Sequence, residues 1–369
     1  MSVSDNLEDA GLYVGRAWDT AADGPIIVRR MRGTVEDITS ATAPTLRDVL
    51  EQPDPAAYVA SAPGRAVEVT QWLPPCDLQA IKACGVTFAQ SMLERVIEER
   101  AAGDPARAAA IRADLGEIIG GAIETLKPGS AAAERVKQTL IDRKMWSQYL
   151  EVGIGPDAEV FTKAQPMSSV GPGAMVGLHP VSHWNNPEPE IVLAVNSRGE
   201  TLGATLGNDV NLRDVEGRSA LLLGKAKDNN ASCSIGPMIR LFDGSFGIDD
   251  IRNAEVLLEV RGDDGFTLEG RSSMTKISRD PLDLVAQTCG AHHQYPDGFM
   301  LFLGTMFAPT QDRGAPGQGF THSVGDVVRI TSSGLGALEN TVALSPDCPP
   351  WTFGTAALMR NLARRGLLS

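Results

Sequence analysis

Two glutamates precede an entirely apolar run near the middle of this chain, and this order constrains the fold more than any other sequence feature. Glu188 and Glu190 lead directly into Ile191 to Val195, which has the length and composition of a buried strand. Side chains alternate between the two faces of a strand, so both glutamates point the same way. The apolar run predicts that this direction is partly inward, where buried carboxylates require a cation.

A third acid, Asp209, follows nineteen residues beyond Glu190. Three carboxylates on neighbouring strands are typical of a site for a hard divalent ion such as Mg²⁺ or Mn²⁺. Such ions keep positions open for substrate oxygens. The alternative for the bare glutamate pair is a position at a solvated strand edge. The motifs that follow the pair decide between these two interpretations.

The composition limits the classes of protein to which the chain can belong. Its 369 residues, 43% hydrophobic and 21% charged, are ordinary for a globular protein and leave room for two domains. The net charge of −13 argues against a nucleic-acid partner, since phosphate binding requires clustered lysines and arginines. A polar, acidic start and the lack of a long apolar run predict a cytoplasmic protein with no membrane partner.

Hydrophobic patterns divide the chain into a β-rich start, a helical middle and a β-rich remainder. The start predicts a small β-meander over residues 11–40 and a linker over 53–63, with an N-terminal domain and linker spanning 1–78. Helical periodicity predicts a helical block over about 88–150 inside a catalytic domain of residues 79–369, so the fold class is α+β. Other predicted strands are 67–73, 78–86, 158–163, 191–195, 201–206, 256–261, 266–272, 299–304, 327–332 and 337–343, with helices at 46–52, 280–292 and 355–364.

The order of the motifs after the glutamates is specific. Asn208-Asp209 is followed by Arg213-Asp214, then by Lys227, nine residues before Gly236-Pro237. Together with Phe161-x-Lys163 and Leu303-Gly304-Thr305, this order resembles the fumarylacetoacetate hydrolase superfamily. The likeness covers roughly residues 78–345.

This resemblance implies a C-terminal mixed β-roll or sandwich with Mg²⁺ as cofactor and Mn²⁺ as an alternative. It also implies a catalytic Lys227, a Thr305 that binds the substrate carboxylate, and a homodimer or homotetramer. Lys163 is a further candidate for substrate binding, and Lys225 is the main rival to Lys227. We expect Arg213 and Asp214 to form an internal ion pair. The residues expected to hold the metal are Glu188, Glu190 and Asp209.

One departure from the superfamily pattern changes the expected reaction. Its hydrolases carry His-x-x-Glu on a short helix over the metal, whereas this chain has Ser91 at the histidine position and retains Glu94. A subgroup that shares this departure is the 2-keto-3-deoxy-D-xylonate (2-keto-3-deoxy-D-arabinonate) dehydratases. Segments around residues 182–190, 221–236 and 293–309 are similar to theirs, which implies loss of water from a small 2-keto-3-deoxy sugar acid, giving 2-oxoglutarate semialdehyde.

The chemistry implied by this resemblance requires a base near C3 of the substrate and an acid near the C4 hydroxyl. We assign Lys227 to the first role, with a pKa lowered by the cation and by burial, and Glu94 to the second, although the two roles are interchangeable at this stage. Ser91 either hydrogen-bonds a substrate hydroxyl or lies on the helix surface. Alternatives are a C–C hydrolase or decarboxylase of a related keto acid, and a non-catalytic metabolite-binding protein.

Overall fold

The strands form two sheets. The computed structural model describes residues 7–102, 104, 106–108, 110–111, 126–142, 144, 146–307, 309–314 and 319–368. In chain order the strands are β1 (Tyr13–Asp19), β2 (Gly24–Met31), β3 (Thr34–Asp37), β4 (Arg65–Ala66), β5 (Trp72–Leu73), β6 (Ala80–Gly85), β7 (Glu159–Ala164), β8 (Met175–Leu178), β9 (Pro189–Val195), β10 (Thr201–Asp209), β11 (Cys233–Leu241), β12 (Glu255–Arg261), β13 (Thr267–Ser273), β14 (Phe299–Phe302), β15 (Val327–Ser332) and β16 (Gly336–Leu344).

The helices are shorter and surround these sheets. They are α1 (Leu46–Leu50), α2 (Pro55–Ser61), α3 (Ala89–Ala101), α4 (Ala131–Asp142), α5 (Gln148–Ile154), α6 (Arg213–Glu216), α7 (Leu223–Lys227), α8 (Ile248–Arg252), α9 (Pro281–Thr288) and α10 (Thr355–Arg364). The α+β class is confirmed. Within the described ranges, no helix has the length and apolar character that crossing a bilayer requires.

The larger sheet contains strands from both of the predicted domains. Its order is β4-β3-β2-β1-β11-β10-β9-β14-β6-β7, with β5 on the side of β1, and among its described strands only β14 and β6 pair in parallel. The smaller sheet has the order β13-β12-β15-β16-β8. The predicted meander is confirmed as β1 to β3, but β1 pairs with β11, so one sheet runs across residue 78. The domain boundary at this residue stays a prediction.

Alternate residues of β9 enter two different cores. Ile191 and Leu193 pack on the side of the smaller sheet, in a cluster with Val256 and Ile330. Val192 and Ala194 pack on the opposite side, in the cluster that contains the apolar residues of α1. Both faces of this strand are therefore buried, which explains the continuous apolar run.

Several elements differ from the sequence predictions. The predicted strand at 67–73 is reduced to β5, and β4 lies just before that range; the predicted linker contains α2, which begins at Pro55 with an Asp54 cap. Strands β8 and β11 and helices α6, α7 and α8 were missed, although all nine residues of β11 are buried. The predicted helix opening at residue 104 lies largely outside the described residues. The other helices of the block, α3, α4 and α5, share an apolar cluster with Trp184.

Gly304, just after β14, has a backbone that other residues adopt only under strain. Its φ is +105°, and a Cβ atom there would lie 1.9 Å from Oγ1 of Thr87 and 3.2 Å from the Cys84 carbonyl oxygen. We predict that Gly304→Ala lowers the free energy of unfolding by about 2–4 kcal/mol, measured by urea denaturation.

Gly265 provides the matched control for this substitution. Its φ is +82°, but a Cβ atom there has nothing within 4 Å. Gly265→Ala should therefore show only the backbone cost, about 1–2 kcal/mol. Equal losses in the two variants would contradict the predicted close approach between Gly304 and Thr87.

Candidate functional site

The three predicted metal ligands meet on one face of the larger sheet. In the β9–β10 register Glu190 lies opposite Gly207, and the Asp209 N–H donates to the Glu188 carbonyl oxygen at 3.0 Å. Alternation then places all three side chains on the same face. Each residue is 1% exposed, and one carboxylate oxygen from each of the three lies within 4.8 Å of the other two.

Glu190 is held by neutral donors from the segment after β14. The Gly304 N–H donates to Oε2 of Glu190 at 2.7 Å, and the Thr305 hydroxyl lies 3.4 Å from Oε1. Thr305 is 7% exposed. The structure therefore places Thr305 beside the triad of carboxylates, and its predicted contact with a substrate carboxylate stays a prediction.

Two lysines approach the triad from different sides. Lys227, at the end of α7, donates to Oδ2 of Asp209 at 3.0 Å and also to Glu188. Lys163 is fully buried, with Nζ 2.7 Å from Oδ1 of Asp209 and bonded to the carbonyl oxygens of Val210 and Lys227. Lys163 thus positions Asp209 and Lys227. Lys225, which is on α7 with Lys227, is exposed. Substrate binding by Lys163 stays a prediction.

The protein's own charges oppose the lowering of the Lys227 pKa that was predicted beside a bound cation, and that lowering stays a prediction. Burial acts to lower the pKa of Lys227, but the combined negative charges of Asp209, Glu188 and Glu216 outweigh it and raise the pKa. The side chain is therefore an ammonium ion between two carboxylates. In this form it can donate hydrogen bonds and stabilise negative charge but cannot accept a proton.

Helix α3, here called the cover helix, lies over the triad and contributes both predicted residues, Ser91 and Glu94. The Ser91 hydroxyl is buried and donates to the Phe88 carbonyl oxygen of its own helix at 2.9 Å. Glu94 accepts a bond from Arg213 at 3.1 Å and is also buried. The roles of Ser91 and Glu94 toward a substrate stay predictions.

The predicted ion pair between Arg213 and Asp214 is wrong. Arg213 instead contacts Glu94 and Glu98 of α3, and its guanidinium carbon lies 4.7 Å from the Trp184 ring centroid. Asp214 accepts from the Ser182 hydroxyl at 2.7 Å. Arg213 therefore ties the cover helix to α6.

Arg95 connects the cover helix to the triad and was not anticipated from the sequence. Its guanidinium contacts Glu188, lies 2.7 Å from Glu98 and lies 3.0 Å from Glu216. Burial would raise the pKa of Glu188, but Lys227 and Arg95 outweigh it and lower that pKa. The cations thus hold Glu188 ionised.

Glu159, the first residue of β7, is the second functional candidate that sequence analysis missed. Burial first, and then the charge of Glu216, raises the pKa of Glu159 to about 7, although Arg95 and Lys227 oppose this. A half-buried carboxyl group with this pKa can both accept and release a proton near neutral pH. The alternation of Glu159, Phe161 and Lys163 on one strand face was the available signal.

The donor set fits a hard divalent cation. Burial and the charges of Asp209 and Glu188 raise the pKa of Glu190 well above its usual range. Among the described residues, the acids of this connected group outnumber its cations by three, so a dication would relieve the repulsion. The acids are Glu94, Glu98, Glu159, Glu188, Glu190, Asp209 and Glu216, and the cations are Arg95, Lys163, Arg213 and Lys227.

Two curated proteins are similar to part of this chain. A probable 2-keto-3-deoxyxylonate dehydratase from Haloferax volcanii is 31% identical over 201 residues, 54% of this chain and 65% of that protein. A 2-dehydro-3-deoxy-D-arabinonate dehydratase from Saccharolobus solfataricus is 31% identical over 187 residues, 50% of this chain and 58% of that protein. The matched regions span less than two thirds of either relative.

Solved structures share the fold over most of the chain. A 2-keto-3-deoxy-D-arabinonate dehydratase in its apo form has a TM-score of 0.61 at 18% identity, over 90% of this chain and 98% of that chain. A 2-keto-3-deoxy-D-arabinonate dehydratase complexed with magnesium and 2,5-dioxopentanoate has a TM-score of 0.59 at 19% identity, over 90% of this chain and 98% of that chain. A fumarylacetoacetate hydrolase from Exiguobacterium antarcticum has a TM-score of 0.59 at 16% identity, over 90% and 99%.

A family match covers the region that contains the triad and both lysines. Residues 143–343 match the fumarylacetoacetate (FAA) hydrolase C-terminal family. These residues include β7 to β15 and most of β16, and thus nearly the whole smaller sheet. The resemblance inferred from the motif order is confirmed, and the chain belongs to the fumarylacetoacetate hydrolase family.

Proposed function

We propose that this protein is a Mg²⁺-dependent hydro-lyase that removes water from a 2-keto-3-deoxy-pentonate and yields 2-oxoglutarate semialdehyde. The observation that carries this proposal is the buried triad of Glu188, Glu190 and Asp209 with Lys227 bound to two of its members. The names of the two curated relatives and the magnesium complex of the structural relative support the same class of reaction.

The triad binds the metal through carboxylate oxygens. When bound, Mg²⁺ supplies a Lewis acid that favours negative charge on the oxygen of the C2 carbonyl group. Glu190 is the strongest anchor because its carboxylate faces neutral donors, whereas Glu188 and Asp209 share their charges with nearby cations. Mn²⁺ has the same preference for oxygen ligands and is expected to replace Mg²⁺ in this site.

Proton transfer requires a group that ionises near neutral pH. Glu159 has this property, so we assign it the removal of the C3 proton in place of Lys227. Lys227, as an ammonium ion, donates to the substrate oxygen on which negative charge develops. The C4 hydroxyl leaves as water, with Glu94 of the cover helix as the candidate proton donor, and tautomerisation then gives the C5 aldehyde.

The reaction is tested with purified protein, Mg²⁺ and 2-keto-3-deoxy-D-pentonate. The expected product is an aldehyde that a coupled semialdehyde dehydrogenase oxidises, with one equivalent formed per substrate consumed. L-configured pentonates and keto-deoxy hexonates serve as comparison substrates in the same assay. Release of pyruvate without the semialdehyde would overturn the dehydratase proposal in favour of C–C cleavage.

Glu190→Gln should abolish metal binding. We expect Mg²⁺ affinity, measured by isothermal titration calorimetry, to fall by more than about 100-fold, since the variant loses the triad carboxylate that faces neutral donors rather than cations. In EDTA the variant should melt at a higher temperature than the wild type near pH 7, because the raised pKa of Glu190 makes its ionisation in the folded state costly.

Lys227→Met is the matched variant for Glu190→Gln. It removes a cation that contacts Glu188 and Asp209 and should keep Mg²⁺ binding at least as tight while turnover is lost. Loss of the metal in the lysine variant, or retention of the metal by Glu190→Gln, would contradict the assigned roles.

Glu159→Gln should lower kcat by about 10²–10⁴-fold and remove the acidic limb of the pH profile. In the wild type, kcat/KM should rise with pH up to about 7, because the pKa of Glu159 is raised to about 7 and the base form accumulates as the group ionises. Initial rates from pH 5 to pH 9 measure this. An unchanged acidic limb in the variant would assign the proton transfer to another group.

Gly85→Ala tests the position of the same carboxylate without removing it. A Cβ atom at Gly85 would lie 1.9 Å from Oε2 of Glu159, and all three of its nearest atoms belong to this flexible side chain. The variant should therefore fold normally and bind Mg²⁺, yet lose at least about ten-fold in kcat. Full activity in this variant would show that the position of Glu159 is irrelevant to turnover.

A further inference from the structure

Arg95 divides one positive charge among three carboxylates. Its guanidinium contacts Glu188 of the triad, Glu98 of its own helix and Glu216 at the end of α6. Arg95 is 8% exposed, and its guanidinium cannot lose its proton at any pH that the protein survives. Its charge is therefore a permanent part of this site.

Both carboxylate oxygens of Glu188 already face cations. Lys227 contacts Oε2 and Arg95 contacts Oε1, so a divalent ion that binds Glu188 must share this carboxylate with two positive groups. Two like charges held a few ångströms apart inside a protein repel strongly. Arg95 must therefore weaken the binding of any cation at the triad.

The other two partners of Arg95, Glu98 and Glu216, determine how strongly Arg95 weakens cation binding at the triad. Glu98 also binds Arg213 at 2.6 Å, so its charge is divided between two arginines. Glu216 has Arg95 as its ion-pair partner among the described residues, and burial raises the pKa of Glu216. If the ion pair between Glu216 and Arg95 were weaker, Arg95 would pair more strongly with Glu188.

We propose that Arg95 is a positioning residue that sets the affinity of the triad for its divalent cation, by competing with the cation for Glu188 while Glu98 and Glu216 draw its charge away. This inference rests on the proposed metal centre. It makes the metal affinity depend on α3 and α6, which lie outside the ligand set. Conversely, metal binding loosens the Arg95 contact that holds α3 to the triad, because coupling between two binding events is reciprocal.

The test is Mg²⁺ and Mn²⁺ affinity by isothermal titration calorimetry at pH 8, on full-length variants whose folding is verified by circular dichroism. Arg95→Met should tighten binding by about 10-fold or more, and Arg95→Lys, which keeps the charge, should stay within about 3-fold of the wild type. Arg100→Met is the matched control, since Arg100 is exposed at the end of the same helix. It should leave the affinity unchanged.

Glu216→Gln carries the test if Arg95→Met does not fold. The substitution removes a buried acid and should weaken metal binding by about 5-fold or more, since Arg95 then pairs more strongly with Glu188. Opposite signs in these two variants distinguish tuning of the affinity from simple structural damage, which would weaken binding in both.

The outcomes separate this inference from the proposed function. Weaker or unchanged binding in folded Arg95→Met, or tighter binding in Glu216→Gln, would overturn the role of Arg95 while leaving the metal centre intact. Failure of the wild type to bind either ion would overturn the metal centre and, with it, the role assigned to Arg95.

Discussion

Three carboxylates, those of Glu188, Glu190 and Asp209, lie within 4.8 Å of one another in the interior of the larger sheet. Their mutual repulsion is the constraint to which the surrounding structure responds, because buried like charges are tolerated only when cations and hydrogen-bond donors surround them. The register between β9 and β10 brings them together, and the continuous apolar character of β9 prevents them from turning toward water.

The surrounding cations come from parts of the chain that are distant in sequence. Lys163 is on β7, Lys227 ends α7 and Arg95 is on the cover helix. Each neutralises part of Glu188 or Asp209, whereas Glu190 is left to neutral donors. The result is a graded site, in which cations partly compensate Glu188 and Asp209, whereas Glu190 has neutral donors and a raised pKa that a bound dication would lower.

The triad could be predicted from the sequence because it depends on strand periodicity and on the order of local motifs. The ion-pair network around Arg95 could not be predicted in this way. Arg213 and Glu98 are 115 residues apart in the sequence, and no local pattern encodes their contact. Strand β11 was missed because Gly236-Pro237 interrupts an apolar run that shows no alternation. The raising of the Lys227 pKa by the protein's own charges could not be predicted, because it depends on how many carboxylates lie near Nζ, which only the folded geometry decides.

The central claim is that the triad binds one divalent cation beneath α3. Anomalous diffraction from crystals grown with Mn²⁺ tests it most directly, since manganese scatters anomalously and prefers the same oxygen ligands as Mg²⁺. We expect one strong peak about 2.1 Å from oxygens of Glu188, Glu190 and Asp209. A peak bound by other residues, or no peak at the triad in saturating Mn²⁺, would contradict it.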